Sequence, residues 1–190
     1  MSGKPAIFLD RDGTLNESVG YVNHLSRFRL FPWSIDAVRL VRDEGYLAVM
    51  VTNQSGIGRG FFSDELLASI HGELEAKLEK AGTGLDGIYY CPHKPSDECE
   101  CRKPKAGMLR RASETEGDEL DIDLERSWIV GDTMTDLEAG WAAGTRGALV
   151  RTGFGEGSLE FESKGWPRQP DLVADNVYRA ICDIVWGSAS

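Results

Sequence analysis

The chain is poor in positive charge. Its 21 Lys and Arg face 31 Asp and Glu, for a formal net charge of −10. Without a basic stripe, binding to DNA or RNA is not expected, because affinity for a polyanion rests on clustered cations that displace counterions. No stretch approaches the roughly 18 consecutive apolar residues that span a bilayer, and no basic segment followed by an apolar block opens the chain. Neither a membrane span nor a signal peptide is expected, the cytoplasm is the expected compartment, and an ion-pumping ATPase is disfavoured. Cysteine is scarce, at 4 of 190 residues, and internal repeats are absent. What is present is ordinary for a globular protein: 41% hydrophobic and 27% charged residues, enough for one domain over 1–190 with a sizeable core. No conspicuous apolar segment marks a partner surface, so a monomer is expected.

Apolar runs alternate with amphipathic stretches. Strands are expected near 6–9, 46–51, 87–90, 127–130, 147–150 and 171–174, and helices near 34–44, 63–81, 105–116, 134–143 and 175–186. This alternation predicts an α/β fold: a Rossmann-like parallel sheet with helices on both faces. The second helix is the clearest, with Ser63 as cap, Asp64 and Glu65 in the first turn, and Leu67, Ile70, Leu74 and Leu78 as its apolar stripe. His71 is read as lying off that stripe, exposed. Residues 15–33 and 53–62 leave room for a flap (16–31) and a turn, too little for an inserted cap domain. Gly153 to Pro170 mixes glycine, glutamate, serine and proline and reads as a mobile surface loop, opening a variable C-terminal part at 153–190.

The chemistry concentrates at strand ends. Asp10-Arg11-Asp12-Gly13-Thr14 follows the apolar run Ala6 to Leu9, placing two carboxylates on the same side of the backbone at a glycine turn. A carboxylate there can attack phosphorus while the second serves the leaving oxygen. Thr52-Asn53-Gln54-Ser55-Gly56 ends another apolar strand with neutral phosphate donors. Arg102-Lys103-Pro104 offers fixed positive charge, and Gly131-Asp132-Thr133-Met134-Thr135-Asp136 ends a strand in an acidic turn suited to magnesium. Each has a plainer reading as a turn residue, cap or surface charge; their joint occurrence in the order Asp, Thr, Lys, Asp points to phosphoryl chemistry. Cys91, His93, Cys99 and Cys101 make a Cys₃His set, either a zinc site or free thiols. Cys182 reads as a buried small hydrophobe.

The four segments in this order resemble the haloacid dehalogenase superfamily of aspartate-nucleophile phosphatases. Asp10 to Thr14, Gly20-Tyr21-Val22, Thr52 to Gly56, Gly87 to His93 and Cys99 to Pro104 are similar to the heptose 1,7-bisphosphate phosphatase branch, whose relative is histidinol-phosphate phosphatase. The likeness runs from about residue 5 to 153. It implies a HAD-like fold without a large cap, a structural zinc on Cys91, His93, Cys99 and Cys101, and a catalytic Mg²⁺ held by Asp10, a backbone oxygen of Asp12, and Asp132, with Asp136 one layer further out. Asp10 is then the nucleophile, Asp12 the acid and base, and Thr52 and Lys103 stabilise the transferring phosphoryl. Ser18, Val19, Gly20, Tyr21, Asn53, Gln54, Ser55 and Arg102 are the expected contacts to a small phosphorylated metabolite. The second aspartate favours phosphate-ester hydrolysis over dehalogenation. Thr133 departs from the branch, which commonly has Lys there. Histidinol-phosphate phosphatase, a broader small-metabolite phosphatase, and a catalytically silent binding module stand as alternatives.

Overall fold

Short apolar runs without polar alternation mark strands covered on both faces. β1 (Ala6–Leu9) is such a run, and all four residues are buried. The computed structural model describes residues 3–114 and 120–187. It pairs β1 in parallel with β2 (Leu47–Asn53) on one side and β4 (Trp128–Gly131) on the other. β3 (Gly87–Cys91) extends the sheet beyond β2, while β5 (Arg146–Val150) and β6 (Leu172–Ala174) extend it beyond β4, giving the order β3-β2-β1-β4-β5-β6.

Alternate strand residues feed two cores. Ile7, Leu9, Met50, Val130 and Val150 meet α1 (Ser34–Asp43), α2 (Asp64–Lys80) and α6 (Val177–Trp186) through Val38, Val41, Ile70, Leu74 and Ile181. Phe8, Val49, Val51 and Ile129 turn the other way, onto Met108 and Leu109 of α3 (Gly107–Glu114) and Ala139 of α4 (Met134–Ala143). The expected α/β architecture is therefore present. The chain runs outward from β1 through β2 to β3, then crosses back to β4. The loops after β1 and β4 consequently leave neighbouring strands in opposite directions, opening the crevice typical of this sheet.

Three expectations need correction. His71 is buried, at 7% exposure: it follows Leu67 by four residues and precedes Leu74 by three, so it belongs to the inward face of α2. The stretch read as loop contains α5 (Gly155–Phe161) and a 3₁₀ turn at Ser163–Gly165. Gly155 and Gly157 lower helix propensity there, and Gly155 is needed because a Cβ would stand 1.8 Å from the Val150 carbonyl oxygen. β2 continues to Asn53 instead of ending at 51, because its ladder to β3 runs on through Asn53 opposite Cys91. Of the helix expected over 105–116, residues 115–116 lie outside the described residues. Cys182 is buried, as its apolar setting predicts.

Candidate active site

Asp10 follows β1 and Asp132 follows β4, so the switch point brings their carboxylates together with Asp136 from the first turn of α4. One oxygen from each lies within 4.8 Å of the others, and all three residues are buried. Lys103 enters from the loop after β3. Its ammonium, 3% exposed as a residue, lies 2.6 Å from both Asp10 Oδ1 and Asp136 Oδ1 and donates to the Val51 carbonyl at 2.9 Å. Burial by itself would lower the Lys103 pKa; the two carboxylates outweigh it and raise it above the ordinary value. Burial pushes Asp10 up to about 7 against the pull of Lys103. It pushes Asp132 up to about 8, with Asp10 and Asp136 adding repulsion. Three carboxylates against one ammonium leave uncompensated negative charge, and oxygen donors in a buried cluster fit a hard divalent cation such as Mg²⁺.

Two glycines seat Asp132. A Cβ on Gly13 (φ 90°) would meet Asp132 Oδ2 at 2.1 Å, and one on Gly153 (φ 59°) would meet it at 2.0 Å. The same oxygen accepts the Phe154 N–H at 2.8 Å, while Thr152 Oγ1 donates to the Gly13 carbonyl at 2.6 Å. Behind it, Thr133 caps α4: its N–H and Oγ1 donate to Asp136 Oδ2 at 3.0 and 2.6 Å.

Asp12 is enclosed by donors. Oδ1 accepts from Arg11 Nε at 3.2 Å and Asn16 Nδ2 at 2.8 Å; Oδ2 accepts from Arg11 Nη2 at 2.8 Å and Gln54 Nε2 at 2.9 Å. Burial alone would raise its pKa, but Arg11, Asn16 and Gln54 together hold it below the ordinary carboxylate range. The free protein thus holds Asp12 ionised, whereas the expected acid role begins with it protonated. A carboxylate offers about four lone-pair positions, and here four donors fill them.

A cavity of about 360 Å³ opens over these groups, lined by Asp10, Asp12, Ser18, Gly20, Tyr21, Thr52, Asn53, Ser55, Lys103, Asp132, Thr133, Thr135, Asp136 and Phe154. Most of the residues expected for catalysis, magnesium and substrate contact converge there; three of them do not line it. Val19 packs at the edge of the core, Gln54 is buried and donates to Asp12 and to Thr52 Oγ1 at 2.9 Å each, and Arg102 lines an adjoining hollow, donating to the His93 carbonyl at 3.4 Å. The amide of Asn53 is committed to the Lys103 backbone. Tyr21, in the segment expected to be a flap, meets Phe61 edge-on at 4.9 Å, joining that segment to the turn after β2. Sequence reasoning missed Phe154, Thr135, Arg11, Asn16 and His71. A signal existed for Arg11, a cation between two aspartates at a buried strand end.

The cysteine cluster also assembles. Cys91 Sγ lies 3.5 Å from Cys99 Sγ and 3.6 Å from His93 Nδ1, and Cys101 Sγ lies 3.5 Å from Cys99 Sγ and 3.3 Å from His93 Nδ1. Donors at about 2.3 Å (sulfur) and about 2.0 Å (nitrogen) from a tetrahedral zinc stand about 3.5–3.8 Å apart, so the set fits that ion. Burial pushes the Cys91 thiol up to about 12, so metal uptake there would expel a proton.

A family model described as HAD-hydrolase-like matches residues 100–180. A D-glycero-beta-D-manno-heptose-1,7-bisphosphate 7-phosphatase of Yersinia pestis is 47% identical over 158 residues, covering 78% of this chain and 81% of the relative. A protein of the same description from Haemophilus ducreyi is 41% identical across 96% of this chain and 97% of its own length. Among solved structures, the D,D-heptose 1,7-bisphosphate phosphatase of B. bronchiseptica, complexed with magnesium and phosphate, superposes with a TM-score of 0.87 at 32% identity, covering 97% of this chain and 99% of that one. With the identity spread over most of both partners and the carboxylate cluster at the sheet's switch point, the chain belongs to the heptose-1,7-bisphosphate 7-phosphatase family of haloacid dehalogenase-like hydrolases.

Proposed function

We propose that the chain is a phosphatase that removes the 7-phosphate of D-glycero-D-manno-heptose 1,7-bisphosphate, with Asp10 as nucleophile. The observation that carries this reading is the placement of Asp10, at the cavity floor, 2.6 Å from the Lys103 ammonium. Asp12 and Thr52 line the same space. Asp10, Asp132 and a backbone oxygen of Asp12 would hold Mg²⁺, with Asp136 behind them; when bound, the ion supplies charge neutralisation for the transferring phosphoryl. Asp10 attacks phosphorus and the bond to the sugar oxygen breaks. Asp12 delivers a proton to that oxygen, then takes one from the water that cleaves the aspartyl-phosphate. Asp12, ionised at rest, takes that first proton from solvent as the approaching phosphate dianion raises its proton affinity, and one of its four donors gives up its lone pair to the proton. Thr52 and Lys103 balance charge on the equatorial oxygens.

Residues 91–103 form a clip in this reading: zinc on Cys91, His93, Cys99 and Cys101 fixes the loop that delivers Arg102 and Lys103. Residues 16–31 act as the flap, and the described residues contain no helix long and apolar enough to cross a membrane. One observation favours a second reading. Ser18, Ser55, Thr133 and Thr135 give the outer cavity a neutral rim, and Lys103, its one lining cation among the described residues, is engaged by Asp10 and Asp136. A substrate without a second phosphate, such as histidinol phosphate or a sugar monophosphate, suits that rim.

The test is turnover of both anomers of the heptose bisphosphate, histidinol phosphate and sugar monophosphates with Mg²⁺, together with acid-quench trapping of phosphate on Asp10. The heptose bisphosphate is expected to have the highest kcat/KM and Asp10→Asn to be inert. Preference for histidinol phosphate by an order of magnitude would move the substrate assignment; full turnover by Asp10→Asn would remove the mechanism.

A further inference from the structure

Arg11 is the largest fully buried side chain of the described residues, and the proposed chemistry gives it no role of its own. Its Nε and Nη2 are spent on the two oxygens of Asp12. The far nitrogen, Nη1, lies 3.3 Å from Nε2 of His71 on α2. A guanidinium can only donate, so Nε2 is the acceptor and the His71 proton resides on Nδ1. The ring is held in turn: it meets Tyr90 of β3 edge-on at 5.9 Å, and Tyr90 Oη donates to Asp64 Oδ1 at 3.2 Å. Burial, then Arg11, keeps His71 neutral, with its pKa lowered to about 4.

We propose that His71 is a positioning residue for the acid–base carboxylate: by accepting the Nη1–H of Arg11, it turns the opposite edge of the guanidinium onto Asp12. Without that acceptor, Nη1 would be buried with its hydrogen bond unmade, a cost that favours reorientation of Arg11. The fork would leave Asp12, and with it the geometry for protonating the departing oxygen. This inference rests on the phosphatase reading above, and its consequence depends on the leaving group. A sugar alkoxide needs the proton; a p-nitrophenolate does not.

The test compares His71→Leu, which deletes the acceptor, with His71→Gln, which restores one. Single-turnover release of the leaving group isolates the first transfer from hydrolysis of the intermediate. For a sugar phosphate, His71→Leu is expected to slow release about tenfold or more with KM within about twofold, a part of the roughly 10²–10⁴ that a general acid contributes. Release from p-nitrophenyl phosphate is expected to change less than about twofold, and His71→Gln to recover most of the loss. Equal slowing of both esters, or none of either, overturns the proposal. Should His71→Leu not fold, ¹⁵N NMR of the wild-type ring decides: a proton on Nδ1 upholds it, and one on Nε2 removes the acceptor and the idea. Asp10→Asn run alongside separates the two levels, since its activity would sink the covalent mechanism itself, whereas a null result at His71 with inert Asp10→Asn sinks only this inference.

Discussion

Asn53 and Lys103 exchange two hydrogen bonds of 3.1 Å each: the Asn53 amide donates to the Lys103 carbonyl and its oxygen accepts the Lys103 N–H. A side chain at the end of β2 thereby acts as a strand partner for a residue in the loop beyond β3. Through this pair the ammonium that touches Asp10 is fixed at its backbone as well as at its tip.

Asn53→Ala should therefore resemble a catalytic lesion more than a binding one. Losing two partly buried hydrogen bonds is expected to cost about 1–3 kcal/mol, read as a lowered melting temperature. With saturating Mg²⁺, kcat should fall about tenfold with a smaller change in KM, because loosened electrostatic partners act chiefly in the transition state. A normal kcat with raised KM would return Asn53 to direct substrate contact.

Metal-free protein should lose stability as pH rises toward 8. Asp10 and Asp132 are pushed from an ordinary value of 3.8 up to about 7 and about 8, so between those values the folded state binds more protons than the unfolded one. Their contribution is complete below the unfolded pKa and is lost as pH climbs through 7 to 8. Magnesium, which needs the ionised form, should raise the melting temperature more at pH 8 than at pH 6. Thermal scans with and without the ion check this; a magnesium increment that does not grow with pH would contradict it.

Purified protein should carry one zinc per chain by elemental analysis. Cys99→Ser should lose it and be destabilised on the order of 3 kcal/mol, the scale of cross-linking a loop of this length. Its kcat should fall with it, since Lys103 follows the last ligand by two residues. Zinc-free protein of full activity and unchanged melting would refute the clip.

Gly153→Ala places a methyl 2.0 Å from Asp132 Oδ2 at a φ of 59°, so Asp132 must shift. The magnesium dissociation constant is expected to rise about tenfold or more, by the loss of a properly oriented ligand, as measured by activity against Mg²⁺ concentration. Gly157→Ala, on α5 with nothing within 4 Å of the added carbon, is the matched control and should be neutral or stabilising by up to about 1 kcal/mol.

Much of this was legible from residue order. Strands covered on both faces leave uninterrupted apolar runs, and the polar residues ending them at 10, 52 and 132 stand out against that background. The parallel sheet follows from the βα alternation, whereas the strand order that makes the loops after β1 and β4 diverge is seen only in the fold. Side chains that turn inward were harder to read. Asn53 and Gln54 have the composition of substrate contacts, yet one secures a backbone and the other an acid; an amide's sequence neighbours do not say which partner it will find. His71 misleads because a polar residue beside an apolar stripe looks solvated until the helix is packed. The two glycines of α5 hide it, and the reason for the first, Gly155, lies in the Val150 carbonyl met only on folding.

The seat of Asp132 has a bearing on the direction of synthesis. Asp10, Asp12, Thr52, Lys103 and Asp132 have all been translated before the wall that holds the last of them, since Gly153 and Phe154 come some twenty residues later. A fragment ending near residue 140 carries all five of these side chains yet lacks the Gly153 wall and the Phe154 N–H that seat Asp132, so the order of the residues along the chain puts the reactive groups first and their support last.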